Sequence, residues 1–121
     1  MVHKVLIVDD EPNIVISLEF LLKKEGFEVA VAADGEEALA KVAAFAPAIV
    51  LLDVMMPKKS GYEVCQQLKA DPATAGVKVV MLTAKGRESE VAKGLALGAD
   101  AYLTKPFSTK DLVARVKGLL P

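Results

Sequence analysis

Five short apolar runs, each followed by a stretch with helical spacing, divide this chain from end to end. The runs are VLIV (5–8), FEVAVA (27–32), AIVLL (48–52), VKVVML (77–82) and AYLT (101–104). Between them Ile14, Leu18, Leu21 and Leu22 recur at helical spacing, as do Leu39, Val42 and Phe45. Val64 and Leu68, Val91 and Leu95, and Leu112, Val116 and Leu119 mark three further helices. Pro12 suits a first helical turn, Asp34 and Ser108 suit N-caps, and Gly26 and Gly98 stand where helices should end. The pattern predicts an α/β fold of the (βα)₅ kind. Its parallel sheet should be covered by helices on both faces, because right-handed crossovers place them there. Most runs are apolar without alternation, as doubly covered strands should be. FEVAVA alternates and is the candidate edge strand.

Bulk properties narrow the class. A chain of 121 residues is expected to form one domain over residues 1–121, with a core that buries about two-thirds of the unfolded surface. Fifteen basic and sixteen acidic residues nearly cancel, so no global field points to nucleic acid or an anionic membrane. The one cysteine, Cys65, suits a reducing compartment and a packed rather than reactive role. The opening MVHKVLIVDD reaches two aspartates too early for a signal peptide, and no apolar stretch approaches the ~20 residues of a membrane span. The expectation is a cytoplasmic protein that neither enters a membrane nor binds nucleic acid directly.

The informative residues stand where the apolar runs stop. In AIVLLDVMMP, Asp53 closes an oily run with no basic neighbour in sequence, a costly placement unless a partner comes from elsewhere. In an open α/β sheet, ligands bind beyond the carboxyl ends of the strands. The first run ends in Asp9-Asp10, the third in Asp53, the fourth in Thr83 and the fifth in Lys105-Pro106. Three carboxylates brought together repel unless a cation intervenes. A hard divalent ion, Mg²⁺ or Mn²⁺, is the fitting one, since Mg²⁺ takes one or two carboxylates and leaves room for a phosphate oxygen. A carboxylate can be a nucleophile toward phosphorus, and metal, lysine and hydroxyl groups can spread the charge of the transferring group. Each residue alone has an ordinary explanation: Asp9 or Asp10 as a helix cap, Asp53 as a turn residue, Thr83 as a strand threonine. Their convergence at one edge favours a site.

With VLIVDDE, LLDVMMPKKSGYEV, MLTAK and GADAYLTKPF in this order and spacing, the sequence resembles a response-regulator receiver domain of two-component signalling, similar to the chemotaxis receivers, from Val5 to about Leu119. The resemblance implies a flavodoxin-like sheet of order 2-1-3-4-5. It makes Asp53 the phosphoacceptor and Asp9, Asp10, Asp53 and the backbone carbonyl of Met55 the metal ligands. Thr83 would bond a phosphoryl oxygen, Lys105 would pair with the phosphate, and Lys105-Pro106 would be a cis peptide. Tyr102 would be a switch residue moving with Thr83. Output would appear on residues 87–118, as an effector contact or a homodimer, with Asp100, Arg115 and Lys117 as charged candidates; Ala101 stands where related dimers often have a second aspartate. The phosphodonor would be a sensor histidine kinase or a phosphotransfer protein. Met55 and Lys85 would flank the path of attacking water and slow loss of the phosphoryl group.

Two other readings compete. A dehalogenase-like Mg²⁺ phosphatase also uses a strand-end aspartate, but it needs a second aspartate two residues on, where this chain has Met55. A pseudo-receiver that only binds a partner would share the fold without needing the charged set. Because the expected phosphoryl chemistry is self-assisted, the chain is not expected to be an enzyme turning over a diffusing substrate.

Overall fold

A computed structural model describes residues 3–54, 60–84, 88–105 and 108–120. Five strands alternate with five helices: β1 (Lys4–Val8), α1 (Pro12–Lys24), β2 (Glu28–Ala32), α2 (Gly35–Phe45), β3 (Ile49–Asp53), α3 (Gly61–Ala70), β4 (Lys78–Ala84), α4 (Glu88–Ala96), β5 (Ala101–Lys105) and α5 (Thr109–Leu119). All pairings are parallel and the order is β2-β1-β3-β4-β5. FEVAVA does supply an edge strand, β2. Strand ends differ from the apolar runs by a residue or two, and Asp53, Thr83 and Lys105 lie within their strands rather than after them.

The pleat explains the two-layered core. Val5, Ile7, Ile49, Leu51, Val80 and Leu82 face Leu18 and Leu22 of α1 and Leu112 and Val116 of α5. Leu6, Val8, Val50, Leu52, Val79 and Met81 face Ala38 and Val42 of α2 and Val64, Cys65 and Leu68 of α3. Successive strand residues therefore serve opposite layers, which is why the central runs need no polar positions. β3 is buried at every residue, Asp53 included. On the edge strand, Val29 and Val31 serve the α1 layer and Ala30 and Ala32 the α2 layer.

Local signals perform as their chemistry requires. Asp34 accepts from the Glu37 N–H and Ser108 from the Asp111 N–H, each capping a helix. Ser60 caps α3 by accepting from the Glu63 N–H at 3.3 Å. Gly26 and Gly98 follow α1 and α4 with φ of 92° and 107°, the left-handed turn that ends a helix. In α4, Leu95 is exposed and Gly94 lies against the Met81 side chain. No helix among the described residues is long and apolar enough to cross a membrane.

Candidate functional site

The register brings the strand ends together. Val8 is level with Leu52, Asp53 with Leu82, and Ala84 with Lys105. Asp9, one residue past β1, is thereby placed close to Asp53, and Thr83 lies one residue beyond Asp53's partner in β4. Carboxylate oxygens of Asp9, Asp10 and Asp53 all lie within 4.8 Å of one another. Asp9 and Asp53 are buried, whereas Asp10 is exposed.

Lys105 crosses from β5 to join them. Its Nζ is 2.9 Å from Asp9 Oδ2 and 3.6 Å from Asp53 Oδ2. Burial works to lower the pKa of this ammonium, but the hydrogen bond to Asp9 and the charges of Asp53, Asp9 and Glu11 together outweigh it and hold it above the ordinary lysine value. Asp9 divides its oxygens: Oδ2 takes Lys105 while Oδ1 accepts from the Glu11 N–H at 2.9 Å, at the entrance to α1. The cap-like and site-forming readings of Asp9 thus both hold. Among the described residues, three carboxylates are set against one ammonium, an excess of negative charge that a divalent cation would offset. Hard oxygen donors on a rigid sheet edge fit Mg²⁺, and the cluster could hold such an ion.

Thr83 is the second distinctive member. It is 2% exposed, and its Oγ1 has no hydrogen-bond partner among the described residues. A buried hydroxyl left this way costs ~1–3 kcal/mol, so it calls for an explanation such as a bound group. Tyr102, by contrast, is 42% exposed on β5. The Met55 carbonyl, Lys85 and Pro106, and with it the expected cis peptide, lie outside the described residues, as do residues 87 and 107 of the expected output surface.

Sequence reasoning passes over Glu11, whose charge adds to the field at Lys105; its position two residues after Asp9 was the available signal. The charged residues expected at a dimer contact fare differently. Asp100 is engaged inside the chain, accepting from Lys69 Nζ at 3.0 Å and the Val79 N–H at 2.8 Å. Lys117 pairs with Glu25 at 2.8 Å, and Arg115 is exposed.

A sheet of this order with acidic groups and a lysine at its carboxyl edge has the architecture of a receiver module, and comparison with known proteins agrees. The family model described as "Response regulator receiver domain" matches residues 5–117, and the chain belongs to that family, the receivers of two-component systems. It is 48% identical over 120 residues to the alkaline phosphatase synthesis transcriptional regulatory protein PhoP of Bacillus subtilis, a match covering 99% of this chain and 49% of PhoP. The chain thus spans about half the length of that relative. A putative response regulator from Chloroflexus aurantiacus superposes with a TM-score of 0.95 at 39% identity, covering 98% of both chains. The chemotaxis response regulator CheY4 of Vibrio cholerae does so with 0.93 at 32% identity, covering 99% of this chain and 100% of that one.

Proposed function

We propose that this chain is one receiver unit, residues 1–121, in which Asp53 accepts a phosphoryl group from a sensor histidine kinase or phosphotransfer protein. The observation that supports the reading is the Thr83 hydroxyl, buried and with no hydrogen-bond partner among the described residues, one residue beyond the strand position level with Asp53. In the step, an Asp53 carboxylate oxygen attacks phosphorus in line. The new O–P bond forms as the bond from phosphorus to the donor's nitrogen or oxygen breaks, and the leaving group keeps that electron pair. Asp9, Asp10, Asp53 and, by the family resemblance, the Met55 carbonyl would hold a divalent metal, which would supply charge neutralisation so that carboxylate and phosphoryl group can approach. Lys105 pairs with one phosphoryl oxygen and the Thr83 hydroxyl donates to another.

Occupation of Thr83 supplies the switch. Once its hydroxyl is drawn to phosphate, Tyr102 moves inward from its half-exposed position, and the face formed by residues 87–118 changes for an effector or a second copy. Ile16 and Phe20, one turn apart on α1 and 65% and 73% exposed, would give a donor protein an apolar contact on that helix. Acceptance and loss of the phosphoryl group are self-assisted, so the chain acts as a switch rather than a turnover enzyme. Met55→Asn should speed decay of the acyl phosphate by opening the path to water; an unchanged decay rate removes that role.

The test is intact mass after incubation with acetyl phosphate, with and without Mg²⁺, for wild type and Asp53→Asn. A Mg²⁺-dependent, hydroxylamine-labile gain of one phosphoryl group, lost in the variant, is expected. No adduct from acetyl phosphate or from a suitable kinase would favour the pseudo-receiver.

A further inference from the structure

Helix α3 starts on a glycine pressed against the aspartate strand. A Cβ built on Gly61 would stand 2.5 Å from the Asp53 carbonyl oxygen, 2.8 Å from Val54 Cα and 3.1 Å from the Asp53 carbonyl carbon. Each of these is a backbone atom, so no side chain can rotate away to make room. The Gly61 N–H also donates to the Val54 carbonyl at 2.9 Å, and the Val54 N–H donates to the Leu82 carbonyl at 3.2 Å. The peptide joining Asp53 to Val54 is thus gripped between β4 on one side and the first residue of α3 on the other. Ser60 fixes that helix start by capping it. Gly26 and Gly118 have open space around the same position, so the contact at Gly61 is particular to this place in the fold.

We infer that Gly61 is a positioning residue for Asp53: the absence of its side chain lets α3 seat directly on the Asp53–Val54 backbone and fixes where the Asp53 carboxylate stands relative to Asp9 and Lys105. The inference rests on Asp53 being the reacting group, and its metal arm stands apart from phosphoryl transfer. Any side chain at this position must push the Asp53 backbone or lift α3. Lys105 Nζ, 2.9 Å from Asp9 and 3.6 Å from Asp53, then loses its shared reach.

Gly61→Ala is compared with Ser60→Ala, which weakens the same helix start without crowding Asp53, and with Gly118→Ala, which adds a methyl group in open space. Mg²⁺ affinity is measured by calorimetric titration and acyl-phosphate formation by intact mass, at a temperature where circular dichroism shows each variant folded. Displacement of the carboxylate by up to ~1 Å predicts a loss of ~10-fold or more in Mg²⁺ affinity and ~100-fold in acylation rate for Gly61→Ala alone. Unchanged affinity and rate in folded Gly61→Ala, or equal losses in Ser60→Ala, would overturn the inference. If wild type binds Mg²⁺ but forms no adduct, the phosphoacceptor reading fails while the affinity comparison still decides the role of Gly61. Should Gly61→Ala not fold, amide exchange on wild type decides. Mg²⁺ should slow exchange of the Gly61 N–H more than that of the Glu63 N–H, and an equal response at both would overturn the proposal.

Discussion

The two edges of the sheet use the same chemistry to opposite ends. At the amino edge Lys69 meets Asp100; at the carboxyl edge Lys105 meets Asp9 and Asp53. Lys69 Nζ donates to the Asp100 carboxylate at 3.0 Å, the Val77 carbonyl at 2.7 Å and the Ala75 carbonyl at 3.3 Å, one acceptor for each proton. Asp100 takes the Val79 N–H as well. One positive charge answers one negative charge, and little remains for a ligand to add. At the carboxyl edge, among the described residues, one ammonium faces three carboxylates, and the buried Thr83 hydroxyl has no hydrogen-bond partner. The first arrangement is balanced in charge and reads as structure, whereas the second carries an excess of negative charge that a cation would offset. Leaving polar groups unsettled is costly, and this is the edge where the proposed metal and phosphoryl group would settle them.

The contrast can be broken most strongly with metal. At about 100 times its dissociation constant, Mg²⁺ should raise unfolding free energy by ~2.7 kcal/mol, read from urea transitions. The effect should vanish in Asp9→Asn with Asp10→Asn and survive in Lys69→Met. Next, Lys69→Met should cost ~2 kcal/mol with or without Mg²⁺, because it strands a carboxylate whose partner cannot be replaced from solution. Restoration by Mg²⁺ would show that the amino edge is not purely structural. Thr83→Val should work in the other direction. Removing a buried hydroxyl that has no partner among the described residues should stabilise the unphosphorylated protein by up to ~1 kcal/mol while uncoupling Tyr102 from phosphorylation. A loss of stability would mean the hydroxyl is already satisfied.

The smallest effect concerns the exposed Glu25–Lys117 pair, which belongs to neither edge site. The hydrogen bond and charge of Lys117 hold the Glu25 carboxyl below its ordinary value of 4.5. A depressed folded-state pKa contributes stability that is present above 4.5 and is lost as pH falls through the lower folded value. Carbon-detected titration should show Glu25 protonating below 4.5, and Lys117→Met should move it back up. An unmoved midpoint would mean the ion pair does not persist in solution.

Elements were legible in the sequence because periodicity and caps are local. VLIV and AIVLL could only be covered on both sides, and Asp34 and Ser108 announced their helices. Strand ends were less legible, since hydrogen bonding carries β3 through Asp53 and β4 through Ala84, past the last apolar residue. The site's membership was legible through the rule that ligands meet strand ends, but its internal pairing was not. That Lys105 bonds Asp9 at 2.9 Å and stands farther, at 3.6 Å, from Asp53 depends on the register of strands far apart in the chain. The Lys69–Asp100 pair was illegible for the same reason: Lys69 is 31 residues away, on α3. Gly61 was silent because an approach between backbones leaves no mark in the sequence beyond a glycine at the junction of loop and helix.

The bond from Lys105 to Asp9 closes a span of 96 residues. During synthesis the aspartates of β1 and β3 leave the ribosome first and wait, mutually repelling, for the last strand to arrive. A polypeptide interrupted before residue 105 would hold the carboxylates of β1 and β3 without the ammonium that offsets part of their charge. The carboxyl edge of the sheet is therefore completed only when its last strand, β5, has been made and docked.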